Sequence, residues 1–340
     1  MGPRIHVDAV RVVCDDGMHN AFTDLCAFGG RYYLTFRGCP DGHMIYPTSR
    51  IVVLASSDAV SWERVHSFAV PERDVRDPHF LALGERLFVI SGAVRVGPGA
   101  PAAYDIDQHQ GFCAWTGDGR TWNGPRAMGG TSGYYVWRAV SRDGVAYLCG
   151  RRKRRTAPGN EADELRLLQA TLLTSRDGFA WTEVGVVQAE YGGETAFLFE
   201  PEGSLLAIVR NRAASLPARV FRAGAPYRAW TGRDLDRNIG GPLLVRWGRN
   251  LLVGGRKHIP PERAVTALYW LVDNRLQEAA ELPSAGDNSY PGFVALSPTR
   301  GLLSYYSSPV GTDSGPSGTG DRAALRGPPA IHLAELSLDE

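Results

Sequence analysis

The apolar residues of this chain fall in a pattern that repeats six times: an apolar stretch, a Gly-containing turn, then a second apolar stretch. The copies occupy residues 24–37, 77–92, 138–151, 194–210, 242–256 and 290–306. Two apolar stretches joined by such a turn read as a β-hairpin. Between the copies, residues 50–55, 111–116 and 165–174 alternate or run apolar in strand fashion and supply outer strands. A period near 50 residues points to propeller blades. Four strands per blade and six blades account for nearly the whole chain. The expected fold is therefore all-β: a six-bladed β-propeller of four-stranded antiparallel blades, with residues 1–340 as a single domain. A strand at about residues 4–13 is expected beside residues 331–336, completing the last blade, closing the ring and protecting its edges.

A second repeat runs in register with the first. Ser56-Ser57-Asp58-Ala59-Val60-Ser61-Trp62, Thr116-Gly117-Asp118-Gly119-Arg120-Thr121-Trp122 and Ser175-Arg176-Asp177-Gly178-Phe179-Ala180-Trp181 share a hydroxyl residue, an aspartate two positions on and a tryptophan four further. Blade four keeps only Trp230. These segments resemble the Asp boxes of the sialidase superfamily, and the resemblance implies β-turns between the two outer strands of a blade, architecture and not chemistry.

Strand direction alternates within a blade, which brings the start of each innermost strand and the end of the next strand together around the channel. The innermost strands begin near Asn20/Asp24, Arg76-Asp77, Trp137-Arg138, Glu194, Asn238 and Asp287/Tyr290. The second strands end near Arg37, Arg95, Arg151, Arg210, Arg256-Lys257-His258 and Tyr305-Tyr306. Long polar side chains thus stand where apolar strands stop. Arginines converging on one hole repel unless they bind an anion or pair with Glu194 and Asp77, and an anionic or hydroxyl-rich ligand complements them. The bland alternative is a channel plugged by ion pairs, in which each arginine is merely salt-bridged.

The bulk numbers leave any anion preference local. Lysine and arginine total 37 against 36 acidic residues, a net charge of +1, which gives no broad basic face for nucleic acid or anionic lipid. The 5 cysteines show no CxxC spacing, so neither a disulfide framework nor a zinc knuckle is indicated. No apolar run in residues 1–13 suits a signal peptide and none later reaches transmembrane length, which predicts a cytoplasmic protein.

Three stretches resemble the sialidase (neuraminidase) superfamily, and the likeness runs across nearly the whole chain. Gly193-Glu194-Thr195-Ala196, followed by Pro201-Glu202-Gly203-Ser204-Leu205-Leu206 and ending in Val209-Arg210, resembles the stretch carrying a catalytic glutamate and a carboxylate-binding arginine. Gly241-Pro242 through Leu251-Leu252-Val253-Gly254-Gly255-Arg256 resembles the one carrying the next arginine. Ser289-Tyr290-Pro291-Gly292 matches the position of the nucleophilic tyrosine. The three Asp-turn-Trp segments are similar to that family's Asp boxes. What the resemblance implies is a covalent mechanism in which Glu194 takes the proton of the Tyr290 phenol and the phenolate traps an oxocarbenium-like centre. It implies an acid/base carboxyl in the loop after Arg37, with Asp41 the nearest candidate, Asp77 the second choice and His43 a third. Substrate contacts would fall to Arg37, His43, Arg76, Arg138, Arg210, Arg256, His258 and Tyr305. The family opens blade one with Phe/Tyr-Arg-Ile-Pro, whereas this chain reads Asn20-Ala21-Phe22-Thr23-Asp24-Leu25. The first arginine of the family triad is absent, leaving Arg37, Arg76 or Arg138 to approach from another direction and putting a uronic or another nonulosonic acid beside sialic acid as substrate.

Other features shift this picture little. His19, His43, His79, His109 and His258 fall near the mouth, but none has the paired spacing of a metal motif, so no metal or cofactor is expected. The run Arg151-Arg152-Lys153-Arg154-Arg155 reads as a basic loop, either solvated or a lid over an anion. The Gly-, Ser- and Pro-rich residues 307–327 would form a second lid over Tyr290. The leading expectation is an exo-glycosidase acting on a small-molecule or glycan substrate. A lyase or biosynthetic enzyme on the same scaffold and a non-catalytic carbohydrate-binding propeller are the alternatives.

Overall fold

The computed structural model describes residues 2–96, 105–154, 164–260, 263–310 and 327–339. Its strands, numbered β1 to β24 along the chain, form six antiparallel sheets of four strands arranged as a ring, a six-bladed β-propeller. The only helical element among the described residues is the turn Ile106–Gln108, and none is long and apolar enough to cross a membrane. The innermost strands are β2 (His19–Phe28), β6 (Arg73–Leu83), β10 (Tyr135–Arg142), β14 (Gly192–Phe199), β18 (Gly240–Trp247) and β22 (Ala285–Ala295). Their hairpin partners are β3 (Arg31–Cys39), β7 (Arg86–Arg95), β11 (Val145–Lys153), β15 (Leu205–Asn211), β19 (Asn250–Ile259) and β23 (Arg300–Ser308). The ring closes as expected: β1 (Ile5–Cys14) pairs with β24 (Ala330–Leu338) as the outer strand of the last blade.

Runs such as Leu205-Leu206-Ala207-Ile208-Val209 are apolar on both faces because each blade is sandwiched between two others. Ile208 and Leu206 pack with Leu244 and Val253 at one seam. Ala207 and Val209 pack with Cys149 and Leu172 at the other. Each fully buried leucine or isoleucine in such a seam contributes about 2 kcal/mol, so the ring is held by the sum of its seams.

The three Asp-containing turns lie between the third and fourth strands of their blades. Asp58 accepts from the Val60 and Ser61 amides at 2.8 Å, and Asp118 and Asp177 repeat the arrangement. Turn amides bonded to one carboxylate hold it ionised and the turn closed.

The innermost strands start earlier than their apolar stretches. β2 begins at His19 rather than Asp24, and β6 at Arg73 rather than Asp77. Each continues through a β-bulge in which two residues oppose one on the partner strand, so polar residues that look like a strand end are interior to a longer strand.

Candidate active site

The same bulge recurs at the channel end of all six blades. The two-residue side is Phe22-Thr23, Asp77-Pro78, Trp137-Arg138, Gly193-Glu194, Gly241-Pro242 and Tyr290-Pro291. Proline suits the unpaired place because it has no amide to leave unsatisfied. Phe22, Asp77, Gly241 and Tyr290, the first residues of four of these pairs, adopt φ of 62°, 53°, 58° and 52°. A left-handed conformation is unfavourable for a side chain larger than glycine, and its recurrence on one rim marks a built site. Because a bulge breaks the alternation of a strand, it turns Asp77, Glu194 and Tyr290 toward the axis.

They meet in a cavity of about 260 Å³. Tyr290 Oη donates to Glu194 Oε1 at 3.1 Å. Arg210 Nη1 donates to both Glu194 oxygens, at 3.0 and 2.8 Å, and lies 3.4 Å from Tyr290 Oη. The Gly241 amide adds a bond to Glu194 Oε2 at 3.2 Å. Burial alone would raise the Glu194 carboxyl, but Arg210 and Arg212 outweigh it and hold it at about 2. Burial and then the Glu194 charge push the Tyr290 phenol above its ordinary value. Glycine is required at 241 by more than φ: a Cβ there would lie 2.6 Å from the Tyr290 ring.

Across the cavity sits a second tyrosine–carboxylate pair. Tyr135 donates its hydroxyl to Asp77 Oδ2, and Arg76 Nε lies 3.7 Å from the same oxygen. Burial pushes the Asp77 carboxyl up to about 6 against the pull of Arg76. Arg76, Arg151, Arg210, Arg212 and Arg256 all line the cavity, so its walls carry far more positive than negative charge.

Of the residues singled out from sequence, Glu194, Tyr290, Asp77, Arg76, Arg210, Arg256 and His43 border this cavity. The others lie elsewhere. Arg37 is completely buried, bonded to Asp74 Oδ1 at 2.9 Å and to the Gly42 and Met44 carbonyls, so it shapes the loop after β3 instead of facing a ligand. Arg138 spans the channel beneath the cavity, donating to Asp24 at 3.0 Å and to the Pro242 and Pro291 carbonyls at 3.0 and 2.6 Å. It is the ion-pair plug. Asp41 is exposed and accepts from Thr48. His258 is exposed on β19 beyond the rim. Tyr305 points into the seam, donating to the Pro283 carbonyl at 3.0 Å and stacking on His332. Tyr306, one position on and therefore on the opposite face, bonds Arg256 at 2.8 Å.

Phe22, Tyr135 and Arg212 also line the cavity without having been assigned to it, as does Arg151, which was placed at the channel end of its strand but not among the substrate contacts. Arg212 stands just past the end of β15, two residues beyond Arg210, and that spacing is the one signal that could have found it. In the basic run, Arg152 pairs with Glu183 and Lys153 with Glu164. The proposed lids, Arg155 onward and most of residues 307–327, lie outside the described residues.

No protein-family model matches the chain, and no curated protein matches it in sequence. Solved structures do match it in fold. A protein of unknown function from Dyadobacter fermentans is 18% identical over 99% of this chain and 100% of its own, with a TM-score of 0.75. Trypanosoma rangeli sialidase, in complex with 2,3-difluorosialic acid as a covalent intermediate, is 12% identical over 94% of this chain, with a TM-score of 0.62. The chain spans 53% of that enzyme's length. The GH43_1 enzyme of Xanthomonas citri complexed with xylose is 12% identical over 73% of this chain and 84% of its own, at a TM-score of 0.50. The ring is thus of the kind found in sialidase and glycoside hydrolase propellers.

Proposed function

We propose that this protein is an exo-acting glycoside hydrolase for a terminal acidic sugar. The observation that carries the reading is the bond from Tyr290 Oη to Glu194 Oε1, 3.1 Å, with Arg210 in reach of both. A cavity of about 260 Å³ falls below the range of about 300–1,000 Å³ typical of drug-sized ligands, which suits a single sugar ring and exo action. Five arginines on its walls favour a carboxylate on that ring. The sialidase and GH43 neighbours, whose bound ligands are sugars, support the same class.

In the reaction, Asp77 enters protonated and gives its proton to the glycosidic oxygen as the bond to the anomeric carbon breaks. Tyr290 Oη bonds to that carbon while its proton passes to Glu194. Water then attacks the anomeric carbon, giving its proton to Asp77, and the Tyr290 oxygen leaves and recovers its proton from Glu194. In the free site Glu194 is too weak a base for Tyr290, because arginine charge holds it near 2. A substrate carboxylate on Arg210 and Arg256 offsets that charge and makes Glu194 more basic, so the nucleophile is activated only when an anion is bound.

The test is a panel of aryl glycosides of nonulosonic, uronic and neutral sugars. Hydrolysis confined to an acidic sugar, and lost in Tyr290→Phe, supports the reading. Tight binding of every acidic sugar without turnover points to a binding module, and an unsaturated product to a lyase.

A further inference from the structure

Beside the cavity, three side chains from three separate elements converge with donor atoms suited to a metal ion. His19 stands at the start of β2, His43 on the loop between β3 and β4, and Asp287 near the start of β22. Asp287 Oδ2 lies 3.0 Å from His19 Nε2 and 2.7 Å from His43 Nδ1. All three donor atoms fall within 4.8 Å of one another. Two ligands on neighbouring vertices of an octahedral ion, each bonded at about 2.1 Å, are about 3.0 Å apart, and tetrahedral neighbours about 3.4 Å. One edge, at 3.0 Å, already has this length, and a second, at 2.7 Å, is a little shorter. The third closes by a shift of the His43 ring, whose side chain is 47% exposed on its loop, whereas His19 is buried.

The rest of the cluster has the form of an outer shell. Asp287 Oδ1 accepts from Arg256 Nη2 at 2.8 Å and from Tyr306 Oη at 2.9 Å, which orients the carboxylate and leaves Oδ2 for the imidazoles. The two rings meet edge to face, at 81°, as ligands on different vertices do and stacked rings do not. His43 also lines the cavity.

We propose that His19, His43 and Asp287 form a site for one divalent transition-metal ion of the zinc or cobalt class, with its remaining positions open toward the cavity. Two imidazoles and a carboxylate suit these ions better than magnesium or calcium, which prefer oxygen ligands throughout. An ion there would take a carboxylate or hydroxyl oxygen of whatever occupies the cavity. The inference is independent of the hydrolase reading, because metal binding is measured without substrate.

The experiment uses the full chain, stripped with a chelator and dialysed. It is titrated with zinc chloride by calorimetry and with cobalt chloride by visible absorption. Expected is one equivalent of zinc, a cobalt spectrum with nitrogen-ligand d–d bands, and an affinity lowered by about 100-fold in both His43→Ala and Asp287→Asn. His43 is exposed, so His43→Ala keeps the fold, which near-ultraviolet circular dichroism checks. His6→Ala, at the surface pair of His6 with Asp339, leaves binding unchanged. No saturable binding below about 1 mM, unchanged affinity in His43→Ala, or loss in His6→Ala overturns the site, the cluster then being a carboxylate that only hydrogen-bonds two imidazoles.

Discussion

Tyr290 and Glu194 come from blades six and four, and the phenol of one donates to the carboxylate of the other at 3.1 Å. Glu194 also anchors Arg210, so it is both the acceptor of the phenol's hydrogen bond and the counter-ion of a largely buried guanidinium. Replacing it with glutamine leaves Arg210 without its charge partner. Breaking a buried pair in this way costs about 3 kcal/mol. Denaturant unfolding of Glu194→Gln is expected to show that loss together with abolished turnover, whereas an inert site would show the stability loss alone.

Asp77 sets the pH dependence. An ordinary aspartate ionises near 4, and here burial has raised the group to about 6. Between these values the folded protein keeps a proton that the unfolded chain has released, so stability falls as pH rises through the window. The fall amounts to about 2–3 kcal/mol for a shift of this size. Asp77→Asn is expected to flatten stability against pH from 4 to 6. In the wild type, kcat/KM is expected to decline above about pH 6 as the acid is lost.

Arg138 and Arg210 look alike along the chain, as do Arg37 and Arg256, yet they have different tasks. Arg138→Met leaves buried Asp24 without its arginine, with only the Phe80 amide and His79 beside it, and frees two carbonyls, with an expected cost of about 3–5 kcal/mol by chemical denaturation. Arg210→Met also breaks a buried pair, with Glu194, and costs stability for the same reason, but it is expected in addition to raise KM for an acidic substrate, read from steady-state kinetics.

Gly241→Ala tests how closely Tyr290 is held. The added Cβ meets the Tyr290 ring at 2.6 Å, at a backbone φ of 58°. The ring must shift, and kcat is expected to fall by about 100-fold, with a loss of only about 1–2 kcal/mol in stability.

The ring was legible because a propeller repeats its hairpins, and six copies of one pattern leave few other ways to bury both faces of each strand. Glu194, Tyr290, Arg210 and Arg256 were legible through their place in that repeat. What stayed hidden is which way a side chain turns. Arg37 and Arg138 are drawn inward by Asp74 and Asp24, partners distant along the chain that no local pattern connects to them. Tyr305 and Tyr306 differ by one step of strand parity, which sends one to the seam and the other to the rim. Asp41 follows Arg37 in the expected loop, but the carboxyl group that borders the cavity alongside Glu194 is that of Asp77, carried there by a bulge whose mark in the sequence is the proline after it.

The most direct test of the account is mass spectrometry of the protein after exposure to a 2,3-difluorinated acidic glycosyl donor, followed by peptide mapping. The account predicts one added glycosyl mass on the peptide containing Tyr290, absent in Tyr290→Phe and slow to form in Glu194→Gln. Turnover of the acidic substrate with no adduct, or an adduct on any other residue, would contradict it.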